Sequence, residues 1–406
     1  MVDFACRACN ADQASMLLDM GLVPLANAFC TNEADKADEF RAPLSLVMCK
    51  HCRLIQIRDL VPREQLFRSY LWVTGTSRAA SDYAIKFANR LRERHLSERG
   101  KFLVEIASND GFFLSRYRDA GFDILGVDPS DVALDADERG LPSIRDFFGR
   151  RVAESVLSKY GPADIIVARN VLGHSEELQD LLEGVVHLLS SRGCLVVELP
   201  YAFFIRNELL YDYIFHEHVS YMTVYSLSRL SERYGLKIID ITFSPLNGGS
   251  LVAEFVRTEE STPRADQSLL AFEDHISLNQ PEGWAAFGQA VQAQRRDFMD
   301  LLNELSRQEQ KVVGYGASAR CMTMLSYCGV TKSHLSAIGD TNPKKQGLLC
   351  PGSRIPVLSP DELMALQPDY VMIGAWNFKD EIMQMLRRKY SYSGKCIVPL
   401  PKPMVV

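Results

Sequence analysis

A short apolar run that breaks abruptly into small and polar residues, Val104-Glu105-Ile106-Ala107-Ser108-Asn109-Asp110-Gly111-Phe112, constrains the fold of this chain more than any other segment. Lys101 to Ile106 reads as a strand, Ala107 to Gly111 as a tight turn, and Phe112 to Ala120 as a helix. A turn of this kind lets the backbone approach a ligand closely. A second strand, Asp123 to Val127, ends at Asp128, about 20 residues beyond the turn, where a carboxylate can bind ribose hydroxyls. The plainer alternative is a strand-turn-helix unit that packs and binds nothing.

Dinucleotide sites place three glycines around a pyrophosphate. This turn has Gly111 alone, with Asn109 and Asp110 in place of further glycines, which favours a cofactor without phosphate. Turn and second acid resemble the site of class I S-adenosylmethionine methyltransferases, a family that usually carries glycine where this chain has Ala107. The resemblance implies S-adenosylmethionine as cofactor, contacted by Glu105, Ala107, Asn109, Asp110, Gly111, Asp128, Pro129 and Asn170.

At 406 residues the chain has material for two or three domains and an ample core. A net charge of -6 lacks the basic excess of a nucleic-acid binder, so no nucleic-acid partner is expected. No stretch approaches the ~18 apolar residues of a membrane span. The first residues include Asp3, Cys6 and Arg7 rather than an apolar signal core, so cytoplasmic residence is expected. Ten cysteines are then expected to be reduced unless they bind metal.

Four cysteines form two knuckles, Cys6-Arg7-Ala8-Cys9 and Cys49-Lys50-His51-Cys52. Each knuckle supplies two sulfurs from one turn, and four thiolates make a closed tetrahedral zinc site. A redox dithiol explains one pair but not two. With every position filled by sulfur, the expected role of the zinc is structural. A loop at Leu22 to Asn32 is expected to pack over it.

The rest of the chain alternates strands and helices, which gives an α/β class with mainly parallel sheets. Further strands are expected at Ile165 to Ala168 and Cys194 to Glu198, with Lys237 to Thr242 and Ser250 to Val256 pairing at the sheet's edge. From Gln267 to Gln308 the period becomes helical, with stripes of Leu270, Phe272 and Ile276, then Phe287, Val291, Phe298, Leu301 and Leu305. A second α/β unit opens at Lys311 to Ala319 and continues through strands near Ala337 to Gly339 and at Tyr370 to Ile373. The division expected is a zinc-binding domain over 1–68, a cofactor domain over 69–258, a helical connector over 259–309 and a second Rossmann-like domain over 310–406.

The second unit's turn, Gly314-Tyr315-Gly316-Ala317-Ser318, either holds phosphate at a helix N-terminus or lets helix and strand pack closely. Arg320, Lys344 and Lys345 add cations suited to a diphosphate, or to a solvated loop. The third constellation, Tyr211-Asp212-Tyr213-Ile214-Phe215-His216-Glu217-His218-Val219-Ser220-Tyr221, follows the fourth strand of the first sheet. Loops there meet the carboxyl edge, where ligands bind. The i, i+2 spacing of His216 and His218, with no further ligand evident, argues against a metal. General acid-base chemistry is the better reading, beside that of a hydrogen-bonded aromatic loop. His174, after the third strand, faces the same edge.

The order of these motifs, with Asp340-Thr341-Asn342-Pro343-Lys344-Lys345-Gln346-Gly347 and Ala375-Trp376-Asn377-Phe378, resembles the three-domain sugar C-methyltransferases that act on keto intermediates of nucleotide-linked deoxysugars. The resemblance covers nearly the full length. It implies a nucleotide-linked ketosugar as substrate, methylated on C-3 through an enolate. It also implies His218 as base, Glu217 as an orienting or ligand-binding neighbour, and His174 at the enolate oxygen or in a proton relay. Substrate contacts are implied for Phe215, Tyr221, Gly316, Ser318, Arg320, Lys344 and Asn377. Two positions depart from the family: some members have tyrosine where this chain has Phe215, and lysine is common where it has Arg320. Tyr211, Tyr213 or Tyr221 can supply the missing hydroxyl, or the histidine suffices. An O- or N-methyltransferase and a non-catalytic zinc-containing binding protein are the alternatives. Three docked domains enclose a site without a partner, so a monomer is expected.

Overall fold

The computed structural model describes residues 4–31, 39–66, 78–95, 100–244 and 248–406. Its N-terminal unit is an antiparallel sheet of β1 (Ala14–Pro24), β2 (Arg41–Cys49) and β3 (Ile55–Ile57). Leu44, Leu46 and Met48 alternate along one face of β2, and Ser45 and Val47 on the other are buried too, so this strand is covered on both sides. Ala14 lies opposite Cys49 and Pro24 opposite Arg41. The cysteines therefore sit at one end of the hairpin, and an eleven-residue strand carries the chain to the other. This corrects the expectation for Leu22 to Asn32, of which Asn32 lies outside the described residues: Leu22 to Pro24 finish β1, whose far end is on the order of 30 Å from the zinc end at ~3.3 Å per residue, and the loop beyond meets Glu217 through Asn27 and Leu349 through Cys30.

Seven strands build the central sheet: β4 (Phe102–Ile106), β5 (Asp123–Val127), β6 (Ser143–Ile144), β7 (Ala163–Arg169), β8 (Leu189–Pro200) and, after the two-residue β9 (Ser220–Tyr221), β10 (Leu236–Ser244) and β11 (Ser250–Arg257). Their order is β10-β11-β8-β7-β4-β5-β6, parallel except for β11, which runs antiparallel to both neighbours. Period-2 geometry sends alternate residues to opposite faces. Val104, Ile166, Ala168 and Val197 enter one core, and Leu103, Ile165, Val167 and Val196 the other. Helices Arg150–Tyr160 and Leu178–Leu188 cover the first face, and Arg78–His95 and Phe112–Asp119 the second. The apolar runs legible in sequence are thus strands buried on both sides. The pair β10 and β11 forms one edge, as its sequence anticipates.

β9 leaves this domain and pairs antiparallel with β3, with Tyr221 opposite Ile55 and Ser220 opposite Gln56. The zinc-bearing sheet is therefore completed by a strand from the segment that carries His218.

Helices Gln267–His275 and Ala285–Arg307 lead to the last unit. Phe287, Val291, Phe298, Leu302 and Leu305 form the buried stripe of the second helix, whereas Phe272 in the first is 38% exposed. The final sheet orders β14 (Val357–Leu358), β13 (Ile338–Gly339), β12 (Val312–Tyr315), β15 (Tyr370–Ile373), β16 (Lys395–Val398) and β17 (Met404–Val405), parallel but for the last pair. One apolar cluster runs through Leu44, Val197, Phe298 and Met322, so all three sheets share a core. Among the described residues no helix is long and apolar enough to cross a membrane.

Candidate active site and zinc centre

The knuckles close on each other. Asn10 and Arg53 take left-handed φ values of 60° and 62°, which turn the chain tightly after each pair begins. Sγ of Cys6 lies 3.5 Å from that of Cys52, and Sγ of Cys9 lies 3.6 Å from that of Cys49. All four sulfurs fall within 4.8 Å of one another. Sulfurs ~2.3 Å from a tetrahedral zinc stand about 3.8 Å apart, so the set fits Zn²⁺ with no position left open. His51 is exposed, and its backbone N–H donates to the Cys49 sulfur at 3.4 Å. Gln56 donates from Nε2 to the Cys6 sulfur at 3.2 Å, and its Oε1 accepts from the Arg7 guanidinium at 2.8 Å. Such outer contacts fix ligand orientation.

At the carboxyl end of β4 the turn is strained into a cradle. Ala107, Asn109 and Gly111 have φ of 58°, 50° and 71°, a region favourable mainly to glycine. The Ala107 N–H donates to the Val127 carbonyl at 2.8 Å, tying the turn to β5. A Cβ on Gly111 would stand 2.7 Å from Leu141 Cδ1 and 3.0 Å from Ala136 Cβ. Asp128 accepts from the Asn109 N–H and from the Ser130 N–H, each at 2.9 Å, which holds its carboxylate over the turn. Asp110 accepts from the Phe112 N–H, and its carbonyl accepts from Arg139. Pro129 and Asn170 are partly exposed at the same edge, with Asn170 at φ 53°. This is where the strand order reverses between β4 and β7, the position of cofactor sites in open α/β sheets. The cradle suits a nucleoside with hydroxyls toward Asp128. Glu105 lies beneath it, sealed among Tyr117 and Arg169, and burial raises its carboxyl to about 8.

After β8 the chain forms a one-turn 3₁₀ helix, Tyr211–Tyr213, and then the His-Glu-His loop. His218 donates from Nδ1 to the Tyr213 carbonyl at 2.7 Å in the tautomer that leaves Nε2 bare. Its ring packs against Tyr213 and Phe215, at centroid distances of 4.2 and 3.9 Å. His174 meets it edge-on at 4.7 Å. Burial, then the neighbouring imidazole, pushes His218 well below the usual histidine range, and burial lowers His174 to about 4. Both rings are therefore neutral at pH 7 and able to accept a proton or share one. Asn170, His174, Tyr213, His218 and Tyr221 line a common pocket.

Glu217 turns the other way. Its Oε1 accepts from Asn27 Nδ2 at 2.7 Å, and burial raises it to about 7 against the opposing pull of Asn27 and Lys345. The Tyr213 carbonyl, rather than Glu217, orients the His218 ring. His216 binds the Pro43 carbonyl at 3.2 Å and docks the loop on β2.

Of the cations, Lys344 is exposed, while Lys345 reaches back to the Ala317 carbonyl at 2.7 Å and over the Phe29 ring at 5.3 Å. Lys345 thus turns inward, whereas Lys344 stands in solvent. Gly316, at φ 94°, packs so closely that a Cβ would lie 2.8 Å from Ala375 Cβ, and Ser318 caps helix Ala319–Cys328. Close packing thus accounts for Gly316 and capping for Ser318. Asn377 is exposed. Arg320 is bonded twice to Asp212. Sequence reasoning did not single out Asn27, which reaches the loop from a distant segment, and it named Asp212 and Trp376 only as letters within longer motifs, with no role for either.

Three family models match in series: a zinc binding domain over residues 6–67, a methyltransferase domain over 77–241 and a C-methyltransferase C-terminal domain over 245–401. C-methyltransferase NovU of Streptomyces niveus is 31% identical over 404 residues, which cover 99% of this chain and 96% of NovU. Among solved structures, magnesium protoporphyrin IX methyltransferase of Synechocystis PCC 6803 with bound SAH matches at 14% identity, TM-score 0.34, over 44% of this chain and 83% of that one. A TehB-like methyltransferase of Corynebacterium glutamicum matches at 16% identity, TM-score 0.31, over 45% and 100%. Likeness at that level adds nothing to the strand order.

The reversed sheet, its tight turn and Asp128 define a class I S-adenosylmethionine-dependent methyltransferase. The chain belongs to the C-methyltransferase family in which a zinc-binding unit, a methyltransferase domain and a C-terminal domain follow one another. It is an enzyme that uses S-adenosylmethionine, binds zinc and acts on a small molecule.

Proposed function

We propose that the enzyme methylates C-3 of a nucleotide-linked 4-keto-6-deoxy sugar in branched deoxysugar biosynthesis. A ketone acidifies the C–H beside it, so a neutral base of modest strength removes that proton to give an enolate. Bound S-adenosylmethionine would supply an electrophilic methyl to the enolate carbon, the sulfonium S–C bond breaking to leave S-adenosylhomocysteine. The observation that carries the reading is the bare Nε2 of His218, held neutral in a pocket on the cofactor edge of the sheet.

His174, also neutral, donates to the developing oxyanion or passes the proton on. The cofactor lies over Ala107, Asn109, Asp110 and Gly111, with Asp128 on its ribose and Pro129 and Asn170 beside it; Glu105 supports the turn from below. Phe215 and Tyr221 line the sugar's side. Because Phe215 brings no hydroxyl, Tyr213 is the tyrosine best placed to replace it: Tyr211 is bonded to Gln294, and Tyr221 to the Tyr213 carbonyl. Glu217 binds a sugar hydroxyl together with Asn27, and Lys345 takes the anionic part that was expected on Lys344. The division that goes with this reading is 1–68, 69–258, 259–309 and 310–406, and the protein acts as a cytoplasmic monomer.

The test is mass spectrometry of 4-keto-6-deoxy sugar nucleotides after incubation with enzyme in deuterated buffer, with and without S-adenosylmethionine. The expected outcome is one deuterium at C-3 without cofactor and one carbon-bound methyl with it. Methyl transfer to oxygen, or no exchange across a panel of sugars, would refute the proposal.

A further inference from the structure

We propose that Asp212, Arg320 and Trp376 form a lock through which the C-terminal unit positions the base, making Arg320 and Trp376 positioning residues for His218. The proposal rests on the reading of His218 as the base and adds what aims it.

Asp212 sits in the 3₁₀ turn Tyr211–Tyr213 and is 1% exposed. Its two oxygens accept from the Arg320 fork, Oδ2 from Nε at 2.9 Å and Oδ1 from Nη2 at 3.0 Å. Oδ2 also accepts from Trp376 Nε1 at 2.8 Å. Both donors belong to the last sheet's unit: Arg320 to the first turn of the helix after β12, Trp376 to the loop after β15. The guanidinium lies against two rings as well, 4.9 Å from the centroid of Trp376 and 5.2 Å from that of Tyr213. A planar fork pinned on its edge by a carboxylate and on its faces by aromatics has little freedom left.

The residue after Asp212 is Tyr213, which makes both contacts that aim the base: its carbonyl takes the His218 Nδ1–H, and its ring stacks on the imidazole. The contacts therefore run from Trp376 and Arg320 to Asp212, then along one peptide to Tyr213 and across to His218. A buried carboxylate is stable only with its partner present, so this turn is ordered when the two units are docked. Arg320 was expected to hold the substrate; it is spent on the lock. The C-terminal unit thus does more than hold substrate: it selects the tautomer of the base.

Long-range nitrogen NMR of the full-length, zinc-loaded enzyme labelled with [¹⁵N]histidine tests the lock, with His218 assigned by comparison with His218→Gln. The unaltered enzyme is expected to show one tautomer, protonated at Nδ1. Arg320→Lys keeps the charge but loses the fork. It is expected to show averaged tautomers and about 10²-fold lower turnover of a 4-keto-6-deoxy sugar nucleotide, the scale of a ~1 Å misplacement. S-adenosylhomocysteine affinity and zinc content are expected to stay unchanged. Trp376→Phe removes one hydrogen bond, leaves the ion pair and is expected to give a smaller change of the same kind. An unchanged His218 pattern in both variants would overturn the proposal. Failure of the unaltered enzyme to exchange ketosugar C–H would instead overturn the base assignment, while the imidazole spectrum still reports whether the lock sets the tautomer.

Discussion

If His218 is the base proposed above, its replacement separates chemistry from binding. It touches no part of the cradle at Ala107 to Gly111, so His218→Gln is expected to lower turnover by roughly 10²–10⁴-fold, the usual worth of a positioned base. S-adenosylhomocysteine affinity, read by calorimetry, is expected to be unchanged, and a parallel loss of affinity would contradict the assignment. His174 gives a pH signature. Its folded value is depressed to about 4, so the stability it contributes is present above the ordinary range near 6.5 and lost as pH falls through the folded value. Denaturant midpoints between pH 6.5 and 4 should fall more steeply for the unaltered enzyme than for His174→Gln. At this scale sequence showed which residue types gather but not which way they point. The Tyr213 carbonyl was illegible because every residue has one. Lys344 and Lys345 are equivalent as letters, yet successive residues of a turn face different ways, and only Lys345 faces Ala317 and Phe29.

The element with most to test is the turn after β4. Ala107 holds a φ of 58° that costs an alanine about 1 kcal/mol. Ala107→Gly removes that strain but frees the unfolded chain, so stability is expected to stay level or rise by up to ~1 kcal/mol in denaturant titrations. Gly111→Ala combines unfavourable φ with the close approach of Leu141 and Ala136. It is expected to cost ~2 kcal/mol and to weaken cofactor binding, both measurable on one purified sample. The central strands were readable because Val104, Ile165 to Val167 and Val196 form apolar runs with turn residues after them. β1 was not readable: register shifts between Met16 and Leu18 and between Asp19 and Leu22 break the alternation that marks a strand. Strands of two residues such as β6, β9, β14 and β17 have no period to read.

For the molecule as a whole, the zinc centre is the fixed point. Cys49→Ser is expected to lose the metal and to lower the thermal midpoint; a metal-free variant of full stability would refute a structural role. The midpoint should not be the only casualty. Gln56 bridges Cys6 and Arg7 while its strand pairs with β9, and β9 begins two residues after His218. Turnover is therefore expected to fall with the metal, although zinc takes no part in the chemistry. The knuckles were plain in sequence. Their link to the base was not, because a two-residue strand crossing between sheets leaves no trace in composition. That crossing also sets a limit on shuffling and engineering: a methyltransferase domain cut out of this chain would carry the letters of its base but not the register that aims it. Recombination that swaps the front unit must bring a matching β9 with it, so the two are inherited, and must be redesigned, as one cassette.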